Sequence, residues 1–317
     1  MLRIKNLKVH FPVAEGIVRA IDDIDVDVDS NQTVAIVGES GCGKTMTALS
    51  VMRLIPRPGR IVNGEIRFRG RDLLKLSQTE MREIRGGEIS MIFQDPMTFL
   101  NPVFKVGDQI AESIVLHHTI DEDAAKNKAV EAIGMVGIPT PERAYNSYPH
   151  QLSGGMRQRI LIAMSLVSDP SLLIADEPTT ALDVTTQAQI LHLLKEFKSR
   201  LRTSILLITH DLGIVADLAD TVYVMYAGNI VEHADVFSLY RKPLHPYTAA
   251  LLRSVLSIDE FAEELVTIEG SVPSLLSPPK GCKFHPRCSK RLEICDQKAP
   301  AVREVEENHY ASCWLHL

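Results

Sequence analysis

The sequence predicts an α/β fold built on a mainly parallel β-sheet, with a helical insert and a small cysteine-rich C-terminal extension. Short apolar runs at residues 32–37, 172–176 and 204–209 are typical of buried strands, and stretches of helical periodicity separate them. Strands that alternate with helices in this way favour a parallel sheet. Between residues 96 and 168 the spacing is helical with few strand signals, which predicts the insert.

The domain organisation follows from where the sequence changes character. At 317 residues the chain exceeds the usual size of a single domain. After about residue 253 it becomes rich in proline and loops and carries four of its five cysteines. We therefore expect a main domain over residues 1–254, with the helical subdomain at about 96–168, and a C-terminal extension over residues 255–317.

The composition excludes several classes of protein. Hydrophobic residues make up 45% and charged residues 23% of the chain, as in ordinary globular proteins. The formal net charge of -6 argues against a nucleic-acid partner, since such proteins carry a basic surface. We find no signal peptide and no transmembrane segment in the sequence, which predicts a cytoplasmic protein that reaches a membrane only through other subunits.

Residues 38–45 match the phosphate-loop pattern GxxxxGK[ST] in full, between a buried strand and an apolar helix. The glycines let backbone N–H groups turn towards phosphate oxygens, and the helix start favours the same anion. Lys44 supplies a cation near the β- and γ-phosphates, and the Thr45 hydroxyl suits Mg²⁺. The residues assigned to ATP binding in this segment are Gly38, Ser40, Gly41, Cys42, Gly43, Lys44, Thr45 and Met46.

An acidic pair ends the second buried strand. Asp176 follows four apolar residues and is placed to hold Mg²⁺ through water, and Glu177 comes next. Beside a complete phosphate loop, this pair is the expected second half of a nucleotide site. Glu177 then acts as the general base that polarises the attacking water, a role that accelerates hydrolysis by roughly 10²–10⁴-fold.

The segment Leu-Ser-Gly-Gly-Met at residues 152–156 precedes an amphipathic helix. Ser153 and two glycines at a helix start form a second arrangement suited to an anion. It has no lysine of its own, which suggests that it serves an ATP held mainly by another subunit.

Together these motifs resemble the ABC-family ATPases in order and approximate spacing, over residues 1 to about 253. Met156 departs from the commonest family pattern, which has Gln there, but it lies beyond the phosphate donors. The resemblance implies a P-loop (RecA-like) ABC nucleotide-binding domain with an antiparallel β subdomain. It also implies Mg²⁺-dependent ATPase activity, with Lys44, Glu177 and His210 as catalytic residues.

The same resemblance implies further roles by position in the motifs. Two such domains sandwich two ATP molecules head to tail, so that Ser153 and Gly155 touch the γ-phosphate across the interface and Asp183 couples the two sites. Gln94 joins Mg²⁺ to the helical insert and to the membrane subunit, and His210 is the switch histidine. Phe11 is the candidate for stacking on adenine. The Mg²⁺ ligands are then Thr45, Gln94 and Asp176.

The last 36 residues hold the other candidate site. The spacing Cys282-x5-Cys288-x6-Cys295-x17-Cys313 permits one metal centre in a reducing compartment. It contains no CxxC pair, and thiolates suit zinc or an iron–sulfur cluster about equally well. The spacing alone therefore leaves the metal open.

Residues 245–252 and 278–288 resemble the C-terminal extension of ATPase subunits of oligopeptide and dipeptide importers. In D-type members of that group, four such cysteines hold a [4Fe–4S] cluster, which favours iron–sulfur over Zn²⁺ at Cys282, Cys288, Cys295 and Cys313. The resemblance implies a subunit at the cytoplasmic face of the membrane. Its partners would be a second, F-type ATPase chain, two transmembrane permease subunits and, indirectly, an extracytoplasmic peptide-binding protein.

Two other functions remain open at this stage. Importers of nickel or another small solute are close relatives of peptide importers, and the cargo is set mainly by other subunits. A non-transport ABC ATPase that acts on DNA or ribosomes is disfavoured. Only about 110 residues separate the phosphate loop from residues 152–156, which is too few for the long coiled coil of chromosome-type members. Ribosome-type members usually carry two ATPase units in one chain, and this chain has one.

Overall fold

The computed structural model describes residues 1–95, 99–180, 182–254 and 268–317. The chain forms two compact units, of which unit 1 comprises Met1–Leu74 and Ile208–Leu317 and unit 2 comprises Lys75–Leu207. The predicted domain boundary at residue 255 and the predicted start of the helical subdomain at residue 96 lie outside the described residues, as does Ala181. The predicted domain limits therefore stay predictions.

The strands of the described residues lie as follows in the sequence. They are β1 (Leu2–Val13), β2 (Gly16–Val28), β3 (Thr33–Val37), β4 (Arg60–Phe68), β5 (Arg71–Asp72), β6 (Ile89–Ile92), β7 (Leu172–Asp176), β8 (Ser204–Thr209), β9 (Thr221–Tyr226), β10 (Asn229–Asp235), β11 (Arg303–Glu306) and β12 (His309–Ala311). The buried runs that predicted β3, β7 and β8 agree with these bounds to within one residue.

The helices of the described residues are α1 (Lys44–Val51), α2 (Gln78–Ile84), α3 (Val106–His117), α4 (Glu122–Met135), α5 (Pro141–Tyr145), α6 (Gly154–Leu166), α7 (Val184–Leu201), α8 (Leu212–Leu218), α9 (Val236–Arg241) and α10 (Pro246–Arg253). The apolar segment at residues 45–54 predicts a helix as far as residue 54. Helix α1 instead ends at Val51, and Arg53 takes a left-handed φ of 50° that ends the helical path. No helix of the described residues is long and apolar enough to cross a membrane.

Unit 1 contains an antiparallel sheet in the order β2-β1-β4-β5, which agrees with the antiparallel subdomain implied by the resemblance. One face of β2 is buried through Ile24, Val26 and Val28, and the other carries acidic side chains. On that face Lys5 Nζ lies 3.7 Å from Asp25 and 3.4 Å from Asp27, and all three side chains are about half exposed. The acidic run is therefore a solvated strand face.

A second set of strands in unit 1 positions the phosphate loop. The fully buried strand β3 pairs in parallel with β9, and β9 pairs antiparallel with β10. The C-terminal extension adds to this sheet, because β12 pairs with β10 and β11 pairs with β12. The sequence predicted only loops here, so the sheet pairing of the extension is a feature that local periodicity missed.

A buried contact between a histidine and a carboxylate accompanies this pairing. His309 of β12 lies 2.7 Å from Glu232 of β10, and both side chains are almost fully buried. The Glu232 carboxylate also accepts hydrogen bonds from the backbone N–H groups of Leu244 and His245, at 2.7 and 2.8 Å. The extension is thereby joined to the segment that leads into α10.

Unit 2 combines a short parallel strand pair with the predicted helices. All four residues of β6 are buried, and β6 pairs in parallel with β7. The start of β8 is tied to the same layer, since Ser204 N donates to Ser171 O over 3.0 Å. Helices α3 to α6 cover residues that the sequence assigned to the helical insert.

Candidate functional site

The phosphate loop occupies the turn between β3 and α1 in unit 1. Two of its glycines are required by close approach of the backbone. A Cβ on Gly38 would lie 2.1 Å from Met225 O, and one on Gly43 would lie 2.5 Å from Ala20 O, while their φ angles are +152° and +113°. The loop conformation predicted from the glycine spacing is thus fixed by the strands around it.

The lysine of the loop folds back over it. Lys44 Nζ donates to Gly38 O over 2.7 Å and to Glu39 O over 3.1 Å, and the side chain is 5% exposed. This geometry holds the ammonium group inside the turn, where a lysine of this motif meets phosphate oxygens. Gly43 caps α1 without a side-chain acceptor, so the positive end of the helix faces the loop.

The remaining loop residues differ in exposure. Ser40 and Gly41 are exposed, Thr45 and Met46 are half-buried, and Cys42 is fully buried. Burial raises the pKa of the Cys42 thiol above its ordinary value. A buried thiol with a raised pKa is a poor nucleophile.

Two other predicted residues of unit 1 have defined surroundings. The Phe11 ring packs on Gly59, since a Cβ there would lie 2.4 Å from Phe11 Cε1. Phe11 is half-buried in β1, and its adenine-stacking role stays a prediction. His210 follows β8 directly and its side chain is exposed, at the start of the turn that Asp211 closes by capping α8.

In unit 2 the structure brings Gln94 and Glu177 together. Gln94 Nε2 donates to Glu177 Oε2 over 2.9 Å, and Thr180 Oγ1 donates to the same oxygen over 2.8 Å. Glu177 follows the buried Asp176 and has a left-handed φ of 46°, a conformation that is strained in non-glycine residues and concentrated at functional sites. The sequence had assigned the two residues separate roles and did not predict their contact.

The start of α6 carries the second predicted anion site. Ser153 caps this helix, and its Oγ accepts from Met156 N over 3.3 Å. Ser153 and Gly154 are exposed and Gly155 is half-buried, so the donors at the helix start are accessible from one side. The role of this helix start in binding ATP stays a prediction.

Thr186, which no sequence motif marks, connects the start of α6 to Asp183. Asp183 caps α7, accepting from Thr186 N over 2.9 Å and from Thr186 Oγ1 over 2.7 Å. These hydrogen bonds hold the pKa of the Asp183 carboxyl below its ordinary value. A Cβ on Gly155 would lie 2.9 Å from Thr186 Cγ2, so Thr186 touches both predicted residues.

Gln158 is a second residue that the sequence did not single out. It is 2% exposed, and its Nε2 donates to Pro178 O over 2.7 Å. Pro178 is the residue after Glu177. Gln158 therefore ties the helix that begins at Gly154 to the segment that carries the acidic pair.

The four C-terminal cysteines all lie in unit 1 and are free thiols. Burial chiefly, together with the charges of the other three thiols, raises the pKa of Cys313 to about 11. Cys282 N also donates to Cys295 O over 2.7 Å. Within the described part of the chain, however, no three His, Cys, Asp or Glu side chains are arranged to hold a metal ion. The four-cysteine metal site thus stays a prediction.

Comparison with known proteins gives two family matches. A family model described as ABC transporter matches residues 21–180, and one described as the C-terminal region of oligopeptide/dipeptide transporters matches residues 231–295. The second match includes three of the four clustered cysteines.

Similar proteins and structures agree with these matches. The chain is 50% identical to the probable peptide ABC transporter ATP-binding protein y4tR of Sinorhizobium fredii, over 99% of this chain and 94% of that protein. It is 50% identical to the oligopeptide transport ATP-binding protein OppD of Bacillus subtilis, over 99% of this chain and 88% of that protein. A dimeric ATP-binding cassette solved in a post-hydrolysis state with ADP and Pi matches with a TM-score of 0.68 and 25% identity, over 74% of this chain and 99% of the other.

Proposed function

Because the chain belongs to the ABC transporter family, among ATP-binding subunits of peptide transporters, we propose that it hydrolyses ATP to drive uptake of dipeptides or oligopeptides. The observation that carries the ATPase function is the closed phosphate loop, with Lys44 buried in it and glycines at the positions where backbone leaves no room for a side chain. The match of residues 231–295 to the peptide-transporter C-terminal region carries the assignment of the cargo class.

ATP binding is assigned to unit 1. The N–H groups of the loop and the start of α1 receive the phosphates, Lys44 neutralises their charge, and Thr45 is a ligand of Mg²⁺. Phe11 is proposed to stack on adenine. His210 is assigned to the γ-phosphate, and its exposure after β8 leaves it accessible to a ligand.

Hydrolysis is assigned to Glu177. Its carboxylate accepts from Gln94 and Thr180, and two donors on one oxygen fix the direction in which the carboxylate points. A fixed, ionised carboxylate is what a general base for water requires. Asp176 and Gln94 are proposed as Mg²⁺ ligands.

A second ATPase subunit completes the site in this proposal. Ser153 and Gly155 would contact the γ-phosphate of an ATP held by that subunit, and Asp183 would couple the two sites. The exposed start of α6 supports this, as does the contact of Thr186 with both Gly155 and Asp183. We assign the partner as a related F-type chain.

The other partners follow from the function of an importer. Two transmembrane permease subunits form the path, and an extracytoplasmic binding protein delivers the peptide to them. This chain then works at the cytoplasmic face of the membrane and binds no nucleic acid, in keeping with its net charge of -6.

The four cysteines are proposed to hold a [4Fe–4S] cluster. The mutual electrostatic effect of the thiols supports their convergence on one centre. The resemblance to D-type subunits favours the cluster, and a zinc ion held by the same four thiolates is the alternative. Bound there, the cluster would cross-link the extension; no electron transfer is assigned to it.

Uptake by cells tests the function. Strains with and without the gene receive a panel of labelled dipeptides and oligopeptides, and the deletion strain is complemented with wild type or with Lys44→Ala. We expect the deletion to abolish uptake of some peptides, wild type to restore it, and Lys44→Ala to fail. Unchanged peptide uptake in the deletion strain would overturn the peptide assignment. Reduced uptake of nickel in that strain would instead identify the chain as a subunit of a nickel importer.

A further inference from the structure

Glu39, the second residue of the phosphate loop, is held through every one of its polar groups. Its backbone N–H donates to the Tyr247 hydroxyl over 2.9 Å. Its carbonyl accepts from Lys44 Nζ over 3.1 Å and from Cys42 N over 3.3 Å. Its carboxylate forms a bidentate pair with Arg287, with Oε2 2.8 Å from one guanidinium nitrogen and Oε1 3.0 Å from the other.

Arg287 lies far along the chain, 248 positions from Glu39, and its donors are fully engaged. Besides Glu39, it donates from Nε to Glu269 O over 2.9 Å, and its two terminal nitrogens donate to Ile268 O and, at 3.4 Å, to the Tyr226 hydroxyl. A guanidinium has five N–H donors, and these five bonds use them all. The guanidinium is therefore fixed in one orientation.

The pair is also isolated from solvent on the arginine side. The Arg287 side chain is 5% exposed and that of Glu39 is 27% exposed. The hydrogen bonds to Glu39 raise the pKa of Arg287 further above its ordinary range. Removing one partner of such a pair leaves a charge with poor solvation, which makes each residue depend on the other.

Aromatic packing holds the backbone that carries Arg287. Arg287 is the last residue of the short helix His285–Arg287, directly before Cys288. Phe284, just before that helix, is 3% exposed and packs against Tyr226 and Tyr247, with ring centroids 5.2 and 5.4 Å apart. The arginine that contacts the loop and the tyrosine that contacts the same residue thus share one buried cluster.

We propose that Arg287 is a positioning residue for ATP binding, which holds the entry of the phosphate loop in shape through Glu39 and makes the cysteine-bearing extension a support of the ATP site. The loop must keep its donors preorganised, because phosphates bind to fixed backbone N–H groups. Without the bidentate pair, the loop samples other conformations and ATP binds only to the fraction that is competent. This inference rests on the proposed function of the loop as the ATP site.

Equilibrium titration of the full-length chain with a fluorescent ATP analogue and Mg²⁺ tests the inference. The variants are Arg287→Ala, Arg287→Lys, Glu39→Gln and the double variant Arg287→Ala with Glu39→Gln. Arg287→Lys and Glu39→Gln nearly preserve side-chain volume, which keeps the test open if Arg287→Ala does not fold. Arg291→Ala is the matched control, since Arg291 lies in the same extension but pairs with Asp296 at the surface.

The expected results separate positioning from general stability. Arg287→Ala should raise the Kd about tenfold, and Arg287→Lys should give an intermediate value because an ammonium group cannot pair in the bidentate geometry. The double variant should bind no more weakly than the weaker single variant, because both substitutions break one interaction. In the assembled transporter, KM for ATP should change more than kcat, and Arg291→Ala should match wild type.

Other outcomes would overturn the inference or its premise. A Kd for Arg287→Ala and Arg287→Lys within twofold of wild type, or single-variant effects that simply add, would refute the positioning role. Equal weakening by Arg291→Ala would also refute it, since the effect would then belong to the extension as a whole. If the wild-type chain itself bound no ATP, the proposed function of the loop would be wrong, which is a separate result.

Discussion

Gln94 and Glu177 lie 83 positions apart in the sequence, and Gln94 Nε2 donates to Glu177 Oε2 over 2.9 Å. The same oxygen accepts from Thr180 Oγ1 over 2.8 Å, and the Glu177 backbone has a φ of 46°. A left-handed non-glycine residue persists only where its surroundings hold it, at a cost on the order of 1–3 kcal/mol. The two donors provide such a hold, and they aim the carboxylate proposed as the general base.

Replacing Thr180 with valine tests whether orientation of Glu177 matters. Valine keeps the shape of threonine but removes one of the two donors to Oε2. A less well-oriented base lowers the rate of the chemical step, so we expect kcat for ATP to fall about three- to tenfold with KM nearly unchanged. Phosphate release by the assembled transporter measures both.

Thr119→Val serves as the control for that experiment, because Thr119 is an exposed loop threonine. It should leave both parameters at wild-type values. A normal kcat in Thr180→Val would show that the second donor does not position the base.

Gln158 gives a prediction about stability. Its buried amide donates to Pro178 O over 2.7 Å, and Gln158→Leu leaves that carbonyl without this donor. An unsatisfied buried acceptor costs about 1–3 kcal/mol, so the free energy of unfolding in urea should fall by that amount. Gln78→Leu, at an exposed position of α2, is the control and should change it by less than about 0.5 kcal/mol. Equal stability of the two variants would contradict the role of this hydrogen bond.

Local pattern predicted part of the fold well, for a physical reason. Strands β3, β7 and β8 are buried at every position, so their runs of apolar residues stand out in the sequence. Strand β12 escapes such a reading, because it is three residues long and exists through its pairing with Glu232 and His233 of β10. Its stability comes from a distant partner that no local window contains.

The candidate site likewise has a part that the sequence predicts and a part that only the structure shows. Gly38, Lys44 and Glu177 are marked by short motifs whose spacing is set by local backbone geometry. The bidentate contact between Glu39 and Arg287 joins residues 248 positions apart and belongs to no motif. Long-range side-chain contacts of this kind depend on the packed fold, and only the structure reveals them.

His233 makes the free energy of unfolding depend on pH. Its ring is stacked between Tyr223 and Tyr310, with centroids 4.7 and 4.4 Å away. Burial first, and then the charges of His309 and Lys5, lower its pKa from 6.5 to about 4, against a smaller opposing effect of Asp27 and Asp25.

The direction of this pH dependence is set by whether the folded or the unfolded chain binds a proton at His233. Below pH 6.5 the unfolded chain protonates His233 while the folded chain does not, so stability falls as the pH drops from about 6.5 to about 4 and then levels off. The slope from this one residue is at most ~1.4 kcal/mol per pH unit. His233→Phe keeps the stack and removes the titration, so urea unfolding across this range should show a shallower pH dependence. An unchanged slope would contradict the prediction.

Metal content tests the cysteine site. After anaerobic purification we expect about four irons and four acid-labile sulfides per chain, with a broad absorption band near ~400 nm. Cys295→Ser should lower the iron content, whereas Cys42→Ala should leave it unchanged, because Cys42 lies in the phosphate loop. Stoichiometric zinc without sulfide would replace the cluster by a zinc site, and absence of any metal would remove the metal site from the account.

The most direct test of the central claim is single-turnover hydrolysis by Glu177→Gln. We predict that this variant, assembled with its transporter partners, binds ATP as tightly as wild type and hydrolyses it at least about tenfold more slowly, because glutamine keeps the hydrogen-bonding shape but is not a base. Near-normal hydrolysis by Glu177→Gln would contradict the claim that Glu177 is the general base of this ATPase. Loss of ATP binding would contradict the separation of binding from hydrolysis on which the account depends.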